Sequence, residues 1–284
     1  MPNHSIQALE QIANTIREDI IRMLLEAGSG HSAGPLGEAD IYTALYFEIL
    51  KHNPKDPDWK ERDILLQSNG HCVPVRYAAM AEAGYFPKSE LMTLRKLHSR
   101  LQGHPERTLL PGLENTSGPL GSGLSQAAGM SLAMRLNNQK HRKIYVVLGD
   151  GELDEGNVWE AIMLCAKYSL DNITAVVDRN NIQIDGLTEN VMPLEDLKAK
   201  WQAFGWYVLE TNGNSIEEFI DACSMANAIT EKPVVIIAYT IPGMGVDFME
   251  EDYHWHGIAP NPEQAQKALK ELRTLGGKIK SEHQ

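Results

Sequence analysis

The segment from Ile144 to Gly186 constrains this chain most: two β-branched apolar runs, each ending in a polar turn, flank one stretch of helical periodicity. Ile144-Tyr-Val-Val-Leu148 reads as a buried strand stopped by Gly149, with Asp150 at its carboxyl end. Over residues 155–168, Val158, Trp159, Ile162, Leu164 and Cys165 recur at roughly helical spacing, and Asp154 and Glu155 place negative charge at the positive start of the helix. Ile173-Thr-Ala-Val-Val177 is a second buried strand, running into Asp178-Arg-Asn180-Asn181. Together they make one βαβ unit.

In open α/β sheets ligands lie beyond the carboxyl ends of the strands, so the loops carrying Asp150 and Asn180 are expected side by side over one crevice. A carboxylate, an amide oxygen and a nearby backbone carbonyl are hard oxygen donors that suit magnesium or calcium, and magnesium usually completes its shell with phosphate oxygens. The implied ligand is a diphosphate. Gly149 and Gly151 are expected to let the backbone approach it with no Cβ in the way. Gly149-Asp150-Gly151 followed thirty positions later by Asn180-Asn181 resembles the thiamine diphosphate signature of the transketolase family.

Other stretches carry the same resemblance. Helical spacing over residues 6–27 ends at Gly28 and predicts an amphipathic helix packed on the sheet or on a partner. The glycine-rich Gly28 to Gly37 loop then presents His31. A helix over 38–50 and a strand over 63–67 lead into Ser68-Asn-Gly-His71, again a polar residue at a strand end. After a helix over 74–83, the irregular stretch 97–122 is long enough to be functional, and holds Gly103-His104-Pro105-Glu106 and Gly118-Pro119-Leu120. Gly121-Ser-Gly123 lacks the third glycine of a dinucleotide fingerprint, and no strand precedes it. Helices over 123–136, 194–203 and 215–228, strands over 206–209 and 233–237, a His254-Trp-His256 loop and a charged helical tail from Glu263 that then frays complete the pattern. It predicts an α/β fold: a doubly wound, mostly parallel sheet flanked by helices, in one domain over residues 1–284.

The resemblance implies a thiamine diphosphate cofactor and a metal, magnesium or in its place calcium or manganese, held by Asp150, Asn180 and the carbonyl of Ile182. It places His71, Gly149, Gly151 and Glu155 with the cofactor, Gly118, Pro119 and Leu120 against its aminopyrimidine, and Ile184 under the thiazolium. It gives His31, His104 and His256 to catalysis, with His256 also reaching the diphosphate. Imidazoles suit proton transfer to and from sugar hydroxyls. The implied reaction moves a two-carbon ketol unit from a ketose phosphate to an aldose phosphate. The four histidine motifs favour it over a deoxyxylulose-phosphate synthase, a 2-oxo acid dehydrogenase subunit or a non-catalytic cofactor-holding module; a transketolase for a specialised sugar is the nearest alternative.

Members of that family continue into a pyrimidine-binding domain, whose glutamate activates the cofactor, and a third domain. This sequence stops short of both. A separate subunit is therefore expected to supply them, in a heterotetramer of two chains of each kind with contact surfaces on the helices over 123–136 and 155–168. Composition narrows the remaining partners. A formal net charge of -12 argues against nucleic acid, and no apolar run approaches the length of a membrane span. Cys72, Cys165 and Cys223 show neither disulfide nor zinc spacing, and residues 1–10 lack a signal-like apolar core, so a cytoplasmic protein is expected.

Overall fold

Residues 4–274 are described in the computed structural model. The apolar runs become strands β1 (Ile64–Gln67), β2 (Ile144–Gly149), β3 (Ile173–Arg179), β6 (Tyr207–Asn212) and β7 (Val234–Tyr239) of one sheet. Its order is β1-β2-β3-β7-β6, and every neighbouring pair is parallel. The antiparallel part is a separate small ribbon, β4 (Ile182–Gln183) with β5 (Gly186–Leu187), just past the end of β3.

Alternation along the strands divides the core. Tyr145 and Val147 of β2 and Val234 and Ile236 of β7 face helices α1 (Ile6–Ala27), α2 (Ala33–Gly37), α3 (Ala39–Ala44), α4 (Val73–Glu82), α9 (Ile216–Ala228) and α10 (Pro262–Thr274). Ile144, Val146 and Leu148, with Val235 and Ile237, face α5 (Ser122–Leu136), α6 (Gly156–Lys167) and α8 (Leu197–Ala203). A short helix, α7 (Thr188–Val191), follows the ribbon. Burial on both faces is why these strands read as continuous apolar runs.

Several expectations needed adjustment. Helix α1 packs mainly on α3, α4 and α10, one layer above the sheet. It is held there by a buried pair: Arg17 donates to both oxygens of Asp40 and, at 3.1 Å, to the carbonyl of Leu36. The helix expected over 38–50 gives way after Ala44 to a wider π-turn, Leu45–Ile49, in which the Leu50 N–H reaches back to the Leu45 carbonyl at 2.8 Å. His52 takes the Tyr46 carbonyl at 2.6 Å, diverting it from the helical ladder. Strand β3 runs two residues further than its apolar run, because Asp178 and Arg179 stay in register with Ala238 and Tyr239 of β7. The tail is helical to Thr274, and its expected fraying lies outside the described residues. Among the described residues no helix is long and apolar enough to cross a membrane.

Candidate active site

The parallel register sets Gly149 of β2 beside Asp178 of β3, so the loops that follow emerge together. Asp150, 1% exposed, receives four donors. The Arg179 guanidinium and the Asn181 N–H reach its Oδ2 at 2.6 and 2.7 Å, while the Gly151 N–H and the Thr188 hydroxyl reach Oδ1 at 2.7 and 3.3 Å. Burial raises its pKa, opposed by Arg179 and by the two N–H groups. Asn180 donates its amide N–H to Asp178 Oδ2 at 2.6 Å, and its Oδ1 accepts from the Ile182 N–H at 3.0 Å.

Beneath this pair lies a buried acid network. Burial lifts Asp178 to about 7, with the Asp150 charge adding to the shift and the Thr240 hydroxyl opposing it. Glu38, fully buried, is raised well above the usual range by burial and then by the Asp178 charge. Asn69 donates to Glu38 from the Ser68 to His71 loop. The network joins the start of α3, the end of β1 and the end of β3 under one floor.

Four imidazoles form the facing wall. Ring centroids lie 4.9 Å apart for His31 and His71, 5.1 Å for His71 and His256, 5.5 Å for His31 and His256, and 6.5 Å for His31 and His104. Burial drives His31 down to about 4, helped by His256. His71 is lowered well below its usual value by burial and its histidine neighbours, His256 is lowered by burial, and His104 by burial and then Arg95. All four are thus neutral near pH 7, each with one nitrogen free to accept a proton. Ser32 holds the loops of His31 and His256 together: its hydroxyl meets the carbonyls of Ile258 and Trp255 at 2.6 and 3.2 Å, on either side of His256.

The acid floor and the imidazole wall enclose a cavity of about 360 Å³ lined by His31, His71, His104, Gly118, Leu120, Gly149, Asp150, Gly151, Asn180, Ile182, Ile184 and His256. Two of the residues expected at the cofactor do not line this cavity. Pro119 is exposed beside the cavity, and Glu155 is exposed at the start of α6, while Glu152 takes the inward position. An added Cβ at Gly149 would meet only Asn69, at 3.7 Å, so the backbone there is open to a ligand. At Gly151 it would fall 2.8 Å from Gln183 Cγ; this glycine is demanded by the ribbon packed over it.

The donor set fits a metal diphosphate. Among the described residues no group of three His, Cys, Asp or Glu could hold an ion alone, so a cation at Asp150 needs the Asn180 amide, a backbone carbonyl and oxygens brought by the ligand. The rings of His31 and His256 both line the cavity and their buried Nδ1 atoms have no protein hydrogen-bond partner, which suits a polar ligand. Glu38, Asn69, Glu152, Asp178, Arg179 and Thr240 escaped the sequence reading. Asp178 and Asn69, polar residues at the ends of buried strands, carried a local signal.

A parallel sheet with an Asp and Asn pair over its carboxyl edge defines a diphosphate-binding domain. The chain belongs to the transketolase family: residues 8–278 match "Transketolase, thiamine diphosphate binding domain". An apulose-4-phosphate transketolase subunit of Actinobacillus succinogenes is 40% identical over 274 residues, 95% of this chain and 98% of that relative. The 6-deoxy-6-sulfo-D-fructose transketolase subunit SqwG of Clostridium sp. is 39% identical over 268 residues, 94% of this chain and 97% of its own length. A transketolase crystal structure from Campylobacter jejuni superposes with a TM-score of 0.88 at 36% identity, covering 95% of this chain and 43% of the larger one.

Neutral burial of the histidines has a measurable consequence. The folded pKa of His31 lies at about 4, below an unfolded value near ~6.5, so the unfolded state binds more protons between those values. Its stabilising contribution is complete above about 6.5 and is lost as pH falls toward 4. The raised acids Asp178 and Glu152 act with the opposite sign in much of this window, so the comparison with a variant isolates the histidine. His31→Gln is expected to lose less thermal stability than the parent between pH 6.5 and 4, as read by melting curves across that range.

Proposed function

We propose that this chain is the diphosphate-binding subunit of a two-component transketolase, transferring a two-carbon ketol unit from a ketose phosphate to an aldose phosphate. The observation that carries the reading is the convergence of Asp150, Asn180 and four neutral imidazoles on one cavity at the carboxyl ends of β2 and β3. In this reading Asp150, Asn180 and the carbonyl of Ile182 hold magnesium against the cofactor diphosphate, Gly118 and Leu120 flank its aminopyrimidine and Ile184 its thiazolium. When bound, thiamine diphosphate supplies the electron sink that carbon–carbon cleavage requires. The protein's part is proton transfer and orientation. His31 and His256 accept protons from sugar hydroxyls, His71 faces the diphosphate side, and His104 stands at the mouth.

His104 also borders a second, more open depression lined by Ser29, Arg95, Gln102 and Thr116. Arg95 there gives the anionic end of a sugar phosphate a counter-charge from this chain. A separate partner chain is supported by relatives that are themselves named as transketolase subunits and match this chain nearly end to end. For a heterotetramer, the outward residues of α5 and α6, including Leu136 (85% exposed) and Met163 (51% exposed), offer apolar contact surface.

The names of those two relatives favour a second reading at the level of substrate, apulose 4-phosphate or a 6-deoxy-6-sulfo sugar in place of a common pentose phosphate. One assay separates the readings. Ketol transfer from xylulose 5-phosphate to ribose 5-phosphate is measured with thiamine diphosphate and magnesium, using this chain alone and then mixed with a C-terminal transketolase subunit encoded beside it. Activity confined to the mixture is the expected result, turnover by this chain alone would overturn the two-component reading, and cofactor binding without turnover of these sugars would select the specialised substrate.

A further inference from the structure

Glu152 is not among the residues that contact a ligand in the proposed function, yet it is 2% exposed and its carboxylate joins three loops around the cavity. Its Oε2 accepts from the N–H of Gly149 at 3.1 Å, at the end of β2. Its Oε1 accepts from the N–H of Gly121 at 2.5 Å, next to the Gly118 to Leu120 stretch, and from the Ser68 hydroxyl at the end of β1. Ser68 passes the link on, since its oxygen accepts from the Gly123 N–H at 3.0 Å in the first turn of α5. The glycines are part of the device. A Cβ on Gly123 would lie 2.5 Å from the Ser68 side chain, and one on Gly121 would lie 2.0 Å from Asn157 Oδ1 with φ at +84°. A bare backbone at Gly121 lets its N–H close on the Glu152 carboxylate, and one at Gly123 lets its N–H close on the Ser68 hydroxyl.

We propose that Glu152 is a positioning residue that sets the separation between the 118–121 loop and the 149–151 loop, and so the length of ligand the cavity accepts. This rests on the reading that the first loop flanks the aminopyrimidine and the second the diphosphate of one cofactor. The carboxylate does this through backbone N–H groups, whose directions are fixed by the end of β2 and the start of α5. A rigid spacing costs nothing to a ligand held at one end. It favours only a ligand that touches both, because binding then meets a preformed pair of contacts.

Glu152→Gln separates these roles. The amide keeps the volume and one acceptor oxygen, but its NH2 group faces a backbone donor, so one loop is released while the other stays tied. Hydrogen–deuterium exchange of the full chain without ligand tests the clamp itself: faster exchange is expected across residues 117–124 or 147–152, with the sheet unchanged. Titration of the assembled complex with magnesium and thiamine diphosphate, and separately with magnesium and inorganic pyrophosphate, tests its purpose. A tenfold or greater loss is expected for thiamine diphosphate, and less than threefold for pyrophosphate. Equal losses for the two ligands, or unaltered exchange in both loops, would overturn the proposal. If the parent complex binds neither ligand, the cofactor reading fails, and the exchange experiment still decides whether Glu152 ties the loops.

Discussion

Asp150→Ala is expected to abolish ketol transfer in the assembled enzyme and to weaken magnesium-dependent thiamine diphosphate binding by more than the ~10–100-fold typical of losing an outer partner of a metal ligand. The reason lies in how completely the carboxylate is engaged. Its two oxygens take donors from Arg179, Asn181, Gly151 and Thr188, which fix the carboxylate in the cavity wall. Alanine removes the metal's only carboxylate in our reading, and it also leaves two backbone N–H groups without acceptors and Arg179 with Glu189 alone. Breaking a buried ion pair from one side costs about 3–5 kcal/mol, so a fall in stability accompanies the loss of affinity. Asp150→Asn separates the two effects. The amide keeps one acceptor and the side-chain shape but turns its NH2 toward two of the four donors, so only part of the stability is expected to return in urea denaturation, while cofactor affinity by calorimetry stays low. Undiminished affinity in Asp150→Ala would disprove the metal assignment.

A comparable loss is expected from Gly243→Ala, a position that touches no ligand. Gly243 has φ at +80°, and its N–H donates to the Ala33 carbonyl at 2.8 Å, fixing the 241–257 segment to the helix that follows His31. An added Cβ would stand 2.4 Å from the Met249 carbonyl oxygen and 2.5 Å from its carbon, both backbone atoms that cannot swing aside. Left-handed backbone costs about 1–2 kcal/mol for a residue with a Cβ, and overpacking adds about 1–3 kcal/mol. Relief requires the segment to lift, which carries His256 away from His31 and His71. A displacement of ~1 Å at a reacting group can cost ~10²-fold in rate. The expected outcome is a lowered unfolding midpoint together with a fall in kcat of that order in the assembled enzyme. A variant destabilised as predicted but with unchanged kcat would show that the 241–257 segment does not position His256.

The two predictions draw on information of different kinds. Asp150 was legible in the chain because its signal is local: an apolar run, a glycine stop and an acid, repeated thirty residues later with asparagine. The same local grammar placed His71 at a strand end and His31 and His256 in loops, and the parallel sheet follows from runs buried on both faces. A clash between Gly243 and Met249 has no such signature, since it exists only once the loop has closed.

What the sequence by itself determined is therefore the order of strand, turn and helix, and the polar residues delivered to the carboxyl edge of the sheet. Hydrophobic period and turn chemistry act over a few residues, so they can be read without knowing what lies across the molecule. Tertiary structure alone decided how those residues are held. It brought Glu38 to Asp178 across the fold, Arg179 to Asp150, and Glu152 to the segments carrying Ser68 and Gly121. It also put Glu152 in the cavity wall and left Glu155 exposed at the start of α6. Buried acids and arginines are stable only where a partner meets them, and the partner is supplied by packing between segments that lie from about thirty to about a hundred and forty positions apart.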